Sequence, residues 1–240
     1  MQRLAGFVVR GEPLTDRNAM AAAAQGKTNW FAVGISIAVV VVLVGLGVLV
    51  VWMNNQATDA GPAPKGDLVN SETGALTYGD GPDTVAVYID FMCPICNQFE
   101  QQYGEQLQQA AADGTITLEY HPIAILDHYS QGAEYSSRSA AAMFCVAEND
   151  PDLALDYMNA LFTNQPAENT TGLTDEQLSA MADEVGAKNS TECIADGTFK
   201  KFGAAQASQN DIKGTPTVEV NGKRLDLQAG ELSEMEALLN

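Results

Sequence analysis

The feature that most constrains this chain is a long uncharged segment near its start. No Asp, Glu, Lys or Arg occurs between Lys27 and Asp59, and Trp30–Met53 is almost entirely Val, Leu, Ile, Ala, Gly and Phe. As a helix these 24 residues would extend about 36 Å, more than the roughly 30 Å hydrocarbon core of a bilayer. Trp30 and Trp52 stand where indole rings favour the headgroup boundary. A buried core helix is the alternative, but such helices rarely run this long without a polar face. The segment predicts one transmembrane helix.

A cleaved signal peptide is another interpretation of this segment. Its apolar region is usually about 7–15 residues long and precedes a small-residue cleavage site. Here the apolar run is longer, and residues 54–60 (NNQATDA) contain no clear A-x-A pattern. We therefore interpret residues 30–53 as an uncleaved signal anchor that crosses the cell membrane once.

The charges on the two sides of the anchor indicate its direction. Residues 1–29 carry four basic and two acidic residues, whereas 8 basic and 29 acidic residues follow Met53. Cytoplasmic flanks are enriched in Lys and Arg. The sequence thus predicts a cytoplasmic tail at residues 1–29 and an extracytoplasmic chain beyond the anchor. The formal net charge of -19 also argues against binding to nucleic acid, which needs a basic surface.

Beyond the anchor we expect a tether and one domain. Residues 54–65 (NNQATDAGPAPK) have the small, polar, Pro- and Gly-bearing composition of a linker, and residues 66–240 suit a single domain. Hydrophobic periodicity and turn signals predict strands at 75–78, 84–91 and 115–120, a helix at 94–112, a helical block at about 133–209, a hairpin around Asn221-Gly222 and a closing helix at 231–239. This order resembles an α/β thioredoxin-like fold that carries a helical insertion.

The motif Cys93-Pro94-Ile95-Cys96 lies between the strongest predicted strand and the first helix of the domain. Proline favours the first helical turn, so Cys93 falls at the helix N-terminus. Free backbone N–H groups and the helix dipole stabilise a thiolate at that position. Cys96 lies one turn further and can close a disulfide with Cys93. The motif predicts a dithiol–disulfide exchange couple with Cys93 as the nucleophile.

Three other interpretations of the motif have less support. A zinc site needs four ligands, and His121 and His128 do not follow at the spacing of a zinc finger; we expect no metal. A four-residue loop is a poor structural staple, because entropic stabilisation grows with loop length. A pair of inert buried thiols is unusual outside the cell.

Cys145 and Cys193 are separated by 48 residues and lie in the helical block. Four cysteines allow three connectivities. If Cys93 pairs with Cys96, the other two remain to cross-link a long loop. A second exchange couple that re-oxidises the first is the functional alternative.

A further distinctive stretch is Gly214-Thr215-Pro216-Thr217. A Thr-Pro bond that opens a strand is a candidate cis peptide, and an ordinary edge-strand proline is the alternative.

Together these segments resemble a known family. Residues 87–96 (VYIDFMCPIC), followed by Phe99-Glu100, are similar to the active-site segment of DsbA-family thiol–disulfide oxidoreductases, and residues 214–217 (GTPT) are similar to their cis-proline loop. Residues 121–127 (HPIAILD) and 137–141 (SRSAA) resemble the membrane-anchored DsbA-like proteins of actinobacteria.

The resemblance implies a role for each residue of the motif. Cys93 would attack and form the mixed disulfide, and Cys96 would resolve it. Pro216 would be cis and face the pair, while Thr215 would offer its backbone to an extended substrate. The resemblance also implies that a second disulfide, Cys145–Cys193, staples the insertion.

The function implied is the introduction of disulfide bonds into exported proteins. The partners would be reduced, unfolded exported proteins and a membrane protein that re-oxidises the enzyme. We expect no cofactor besides the redox-active disulfide, and a monomer. A disulfide isomerase or reductase of the same fold is one alternative, and a disulfide-stapled binding or scaffold domain without catalysis is another.

The sequence departs from the family at particular positions. The best-known oxidases carry histidine where this chain has Ile95, so a hydrogen bond from that side chain to the thiolate is absent. Thioredoxin-like members often place a buried acid where Val87 stands, and we interpret Asp90 as structural. Thioredoxins and cytochrome-maturation reductases usually have Trp where this chain has Met92, which argues against a reductase.

Overall fold

A computed structural model describes residues 29–57 and 60–239. The chain divides into two compact units, the first ending at Asn55 and the second beginning at Gln56. Helix α1 spans Trp30–Ala57, and its stretch Val33–Val51 is long and apolar enough to cross a membrane. The apolar side chains of this stretch are exposed. The prediction of one long apolar helix near the N-terminus is confirmed.

Within the described residues of the second unit, five strands form one mixed sheet in the order β1-β3-β2-β4-β5. The strands are β1 (Leu76–Tyr78), β2 (Asp83–Ile89), β3 (Ile116–Pro122), β4 (Thr217–Val220) and β5 (Lys223–Arg224). Strand β2 pairs in parallel with β3 and antiparallel with β4. The strand predicted at 84–91 is therefore present as β2 and is the central strand of the sheet.

The two faces of β2 pack into two hydrophobic clusters. Val85, Val87 and Ile89 are fully buried in the main core, whereas Ala86 and Tyr88 belong to a smaller cluster on the other face. A strand that is buried on both faces must be apolar at nearly every position. This explains why the residues of β2 form a continuous apolar run instead of alternating.

The helix predicted at 94–112 is present but is not regular. It consists of α2 (Pro94–Phe99), one π-helical turn (Glu100–Gly104) and α3 (Glu105–Ala112). A π-helical turn inserts extra backbone into an α-helix and shifts the face presented by later residues. Periodicity is too coarse to detect such an insertion, so the uninterrupted helix was wrong in detail.

The insertion is helical in most of its length, with a loop at residues 164–174 that the sequence pattern did not predict. Its α-helices are α4 (Tyr135–Asn149), α5 (Ala154–Thr163), α6 (Asp175–Glu184), α7 (Thr191–Ala195) and α8 (Lys200–Gln209). Helix α6 begins with a capping box, in which the Thr174 hydroxyl accepts from the Gln177 N–H at 3.3 Å. Helix α4 is the centre of the insertion, since almost its whole length is buried.

The C-terminal part is the predicted hairpin and helix. Asn221 and Gly222, between β4 and β5, have φ values of 51° and 77°, which is the left-handed geometry that an Asn-Gly hairpin turn requires. Helix α9 (Leu232–Glu236) is shorter than predicted. The mixed α/β thioredoxin-like fold with its helical insertion is confirmed.

Part of the predicted tether at residues 54–65 packs against the domain that follows it. Pro64 is buried, its carbonyl accepts from the Ser71 hydroxyl at 2.7 Å, and Ala63 packs against the main core. Residues 63–64 of the predicted tether therefore pack against the rest of the second unit. Residues 58–59, which also belong to the predicted tether, and residues 1–28 of the predicted tail at 1–29 lie outside the described residues.

Candidate active site

Cys93 stands at the junction between the sheet and helix α2. It is the N-cap residue of α2, with extended backbone angles (φ -78°, ψ 114°), and Pro94 follows at the first helical position. Cys93 retains 6% of its surface and Cys96 retains none, and both are free thiols. Only Cys93 therefore presents surface to an incoming sulfur.

The loop that carries Cys93 is held in place by hydrogen bonds to Asp90, whose side chain is fully buried. Strand β2 ends at Ile89, and the carboxylate of the next residue, Asp90, accepts hydrogen bonds from four donors. Those donors are the backbone N–H groups of Met92, Ile125 and Leu126 and the hydroxyl of Ser136, at 2.7–3.0 Å. Burial raises the pKa of Asp90, against the lowering effect of these hydrogen bonds. These hydrogen bonds connect three segments of the chain next to the motif, which is the role of a structural residue.

The two sulfurs have opposite electrostatic surroundings. The pKa of Cys93 is lowered to about 6, chiefly because the Cys96 thiol donates a hydrogen bond to its sulfur. The Thr215 side chain and the backbone N–H groups of Cys96 and Ile95 add to this lowering, and burial opposes it. Burial, and then the neighbouring Cys93, raise the pKa of Cys96 well above its usual value. At neutral pH the pair therefore holds a thiolate at Cys93 and a thiol at Cys96.

The structure brings the Thr-Pro loop to the same place. The Thr215–Pro216 peptide bond is cis, and the Cys93 thiol lies 3.5 Å from the carbonyl oxygen of Thr215. Pro216 directly precedes strand β4 and is only partly buried. Ile95 is 55% exposed. The Cys93 sulfur thus lies next to the backbone of the Thr-Pro loop.

Cys145 and Cys193 form a disulfide elsewhere in the domain. It joins helix α4 to helix α7 with a Cα–Cα distance of 5.7 Å. Both of these helices belong to the insertion, so this bridge cross-links the insertion internally. The structure therefore separates the four cysteines into a free pair at the motif and a bonded pair in the helical block.

The two histidines are not near each other in any metal-binding arrangement. The ring of His121 is buried and stacks on Tyr88 at 4.2 Å, and the ring of His128 lies 4.1 Å from that of Tyr129. Among residues 29–57 and 60–239, no group of three or more His, Cys, Asp or Glu side chains is placed to hold a metal ion.

Two amide side chains at the site were not identified from the sequence. Gln165 follows helix α5, and its Nε2 donates to the carbonyl oxygens of Phe91 and Cys93 at 3.1 and 2.9 Å. Asn97 in helix α2 donates to the Gln165 side chain at 3.2 Å. Gln165 lies in a loop with no periodic signal, and 72 residues separate it from Cys93. No local pattern could have connected the two.

A buried acid near the motif was also not identified. Glu100, one turn after Cys96, is 9% exposed, and its Oε2 accepts from the Tyr120 hydroxyl at 2.9 Å. Its Oε1 has no hydrogen-bond partner among the described residues. Burial raises the pKa of Glu100 to about 7. The sequence offered Glu100 only as part of a family segment, since a glutamate in a Gln-rich helix is usually solvated.

The fold agrees with the comparisons to known proteins. Residues 73–240 match the thioredoxin family. The solved structure of oxidised DsbA from Mycobacterium tuberculosis superimposes with a TM-score of 0.61 at 28% identity, over 69% of this chain and 93% of that one. The chain belongs to the thioredoxin family and is a DsbA-like thiol–disulfide oxidoreductase.

Two curated relatives extend this result. Disulfide bond formation protein D of Bacillus subtilis is 27% identical over 177 residues, 70% of this chain and 74% of that protein. The serine/threonine-protein kinase PknE of Mycobacterium tuberculosis is 34% identical over 139 residues, 56% of this chain. The chain spans only 24% of the length of that kinase.

Proposed function

We propose that this DsbA-like protein is an oxidase that introduces disulfide bonds into exported proteins through the Cys93–Cys96 pair, from an outward-facing position on the membrane. The observation that carries the proposal is the asymmetry of the two sulfurs. Cys93 has a pKa lowered to about 6 and retains exposed surface, whereas Cys96 is fully buried with a raised pKa. A sulfur that forms the mixed disulfide and then leaves as a stable thiolate needs the first environment, and its protonated partner sulfur needs the second.

The proposed reaction starts from the oxidised pair. A substrate thiolate attacks the sulfur of Cys93, the Cys93–Cys96 bond breaks, and Cys96 leaves as a thiolate that takes up a proton. A second substrate thiolate then attacks the substrate sulfur of the mixed disulfide, and Cys93 leaves as a thiolate. The substrate loses two electrons to the cysteine pair. A membrane partner must then remove these two electrons to restore the bridge.

The stability of the Cys93 thiolate favours electron transfer from the substrate to the cysteine pair. At pH 7 a thiol with a pKa of about 6 is about nine-tenths ionised. Lowering the pKa from 9.0 therefore stabilises the reduced form of the pair by about 1.4 kcal/mol at this pH. For a two-electron couple this free energy corresponds to about 30 mV in the reduction potential. DsbA and thioredoxin have nucleophile pKa values of about 3.5 and about 7. The value for Cys93 lies between them, as expected where Ile95 replaces the histidine of the strongest oxidases.

The Thr215–Pro216 loop is proposed to bind the substrate. The Thr215 carbonyl lies next to the Cys93 sulfur, so an extended peptide paired with this backbone would place its own sulfur in line for exchange. Main-chain pairing accepts many sequences, which suits an enzyme for unfolded substrates. The exposed Ile95 would add an apolar contact.

The anchored, outward topology is part of the same proposal. It is supported by the apolar helix α1 and by the contrast between the basic residues 1–29 and the acidic chain beyond the anchor. Disulfides form and persist outside the reducing cytoplasm. Reaction of a membrane-impermeant thiol reagent with reduced Cys93 in intact cells tests this topology, and absence of labelling until the cells are lysed would contradict it.

The activity is tested by oxidative refolding of a reduced substrate protein. The oxidised full-length chain should accelerate disulfide formation, and Cys93→Ser should abolish the acceleration. The double variant Cys145→Ala, Cys193→Ala leaves the motif intact and is the matched control, at a temperature where it is folded. Equal rates with the wild type and Cys93→Ser would reject the oxidase and favour a binding or scaffold domain. A reduction potential near the thioredoxin value of about -270 mV would favour a reductase.

A further inference from the structure

The carbonyl groups around Cys93 are held by a side chain of the helical insertion. The Nε2 of Gln165 donates to Phe91 O at 3.1 Å and to Cys93 O at 2.9 Å. These carbonyls lie on either side of Met92, in the loop between β2 and α2. One amide group therefore holds the backbone on both sides of Met92, in the bend that places Cys93 at the N-terminus of helix α2.

The orientation of this amide is itself determined by its neighbours. Two carbonyl oxygens can only accept, so Gln165 must direct its NH₂ group toward them. Its Oε1 then accepts from the Nδ2 of Asn97 at 3.2 Å, and the same Nδ2 donates to Phe162 O at 2.9 Å. The Oδ1 of Asn97 accepts from Gln101 at 2.9 Å. The amides form a chain with one consistent direction that ends on the Cys93 backbone.

The sulfur of Cys93 depends on this backbone position. The donors that stabilise its thiolate include the backbone N–H groups of Ile95 and Cys96 at the start of α2. These groups point at the sulfur only while Cys93 keeps its extended N-cap conformation (φ -78°, ψ 114°). A small rotation of the Cys93 backbone would move the sulfur away from donors that cannot follow it.

We propose that Gln165 is a positioning residue for thiol–disulfide exchange, which holds the Cys93 backbone in the conformation where the helix N-terminus faces the sulfur. The proposal rests on the proposed function of Cys93 as the sulfur that forms the mixed disulfide and leaves as a thiolate. Gln165 does not contact the sulfur, so it acts through the two carbonyl groups. It also makes the insertion a functional support of the motif, since Gln165 and Phe162 both belong to it.

The test uses the full-length chain in detergent, reduced, with the thiolate absorbance of Cys93 titrated against pH. Gln165→Met keeps the size of the side chain and removes both hydrogen bonds. We expect the pKa of Cys93 to rise from about 6 by about one unit, the size of a helix N-terminus effect. Near pH 6 the thiolate fraction then falls from about half to about a tenth. Gln165→Glu should raise it further, because a carboxylate faces the carbonyls and adds negative charge near the sulfur.

Matched variants separate positioning from general support of the fold. Gln98→Met removes an exposed amide from helix α2, the helix that also carries Asn97, and should leave the pKa of Cys93 unchanged. Asn97→Ser removes the donor that orients Gln165, together with the hydrogen bonds of Asn97 to Phe162 O and from Gln101. It should shift the pKa of Cys93 in the same direction by a smaller amount, and it serves where the Gln165 variants fold poorly by circular dichroism. Cys93→Ser confirms that the absorbance change belongs to Cys93.

An unchanged pKa in folded Gln165→Met and Asn97→Ser would overturn the positioning role and leave Gln165 as a purely structural contact. That result would not affect the proposed function, which fails separately if Cys93→Ser refolds substrate as fast as the wild type. A raised pKa together with slower substrate oxidation near pH 6 supports both.

Discussion

Glu100 makes the stability of the domain depend on pH in a way that one substitution should remove. The carboxyl group is buried, accepts one hydrogen bond from Tyr120 and has a second oxygen without a partner among the described residues. Gly104 leaves room for it, since a Cβ at Gly104 would lie 2.7 Å from Glu100 Oε2. The site is therefore suited to an uncharged carboxyl group and poorly suited to a carboxylate.

The magnitude follows from the raised pKa. Burial raises the pKa of Glu100 from 4.5 to about 7, so between these values the folded state binds more protons than the unfolded state. The associated stability is fully present below about pH 4.5, decreases as the pH rises, and is lost above about pH 7. The difference of 2.5 units from the two quoted values corresponds to about 3 kcal/mol.

The assay is urea unfolding of residues 56–240, the second compact unit, between about pH 4 and about pH 8. Glu100→Gln keeps an acceptor for Tyr120 and cannot ionise. Relative to the wild type, its free energy of unfolding should increase by about 3 kcal/mol across this range. The free-energy cost of burying the new amide NH₂ group does not depend on pH. It therefore cancels when the differences between variant and wild type at two pH values are compared.

Glu105→Gln is the matched control, because Glu105 is exposed on the same helix. It removes the same charge without removing a buried carboxyl group. If the effect of Glu100→Gln depends on pH no more than that of Glu105→Gln, the Glu100 carboxyl group is already charged in the folded protein and the reasoning from burial is refuted.

Three further predictions concern stability. Removing the Cys145–Cys193 disulfide by double alanine substitution opens a loop with a sequence separation of 48 and should cost about 4 kcal/mol in urea unfolding. Thr174→Ala removes the N-cap of α6 and should cost about 1 kcal/mol in the same assay. Gly79→Ala should lower the melting temperature by an amount equivalent to more than about 1 kcal/mol, since Gly79 has φ +74° and a Cβ there would lie 2.5 Å from the Ala111 carbonyl oxygen.

Each of these has its own control. Reduction of the wild-type disulfides should reproduce the loss seen in the double alanine variant, and no loss from either would show that the bridge adds nothing to stability. Gln177→Ala removes the other half of the capping box and should resemble Thr174→Ala in sign. Gly132→Ala has a comparable φ of +83° with nothing within 4 Å, so it should be less damaging than Gly79→Ala; the reverse order would contradict the steric argument.

Local patterns were sufficient for much of the fold. The apolar run of α1, the β-branched run of β2, the Asn221-Gly222 turn and the Thr174 capping box each depend on residues adjacent in sequence, and each is present. The π-helical turn at Glu100–Gly104 was not predictable, because apolar spacing tolerates one inserted residue.

The candidate site divides in the same way. Its motif follows from sequence, since a proline after a cysteine at a helix start places that sulfur beside free N–H groups. The contacts around the motif do not, because Gln165 approaches from a loop without periodicity and Asp90 binds donors from three separate segments.

Neighbouring residues alone indicate a long apolar helix, an acidic part beyond it, and a CPIC motif at the junction of a strand and a helix. The partners of the buried groups follow from the folded chain: the Cys96 thiol as a donor to the Cys93 sulfur, the raised pKa of Glu100, and an amide from the insertion on the Cys93 backbone. The physical reason is that helix starts, turns and apolar runs are set by neighbouring residues, whereas desolvation and hydrogen bonding are set by whatever the fold brings close, here across 72 residues between Cys93 and Gln165.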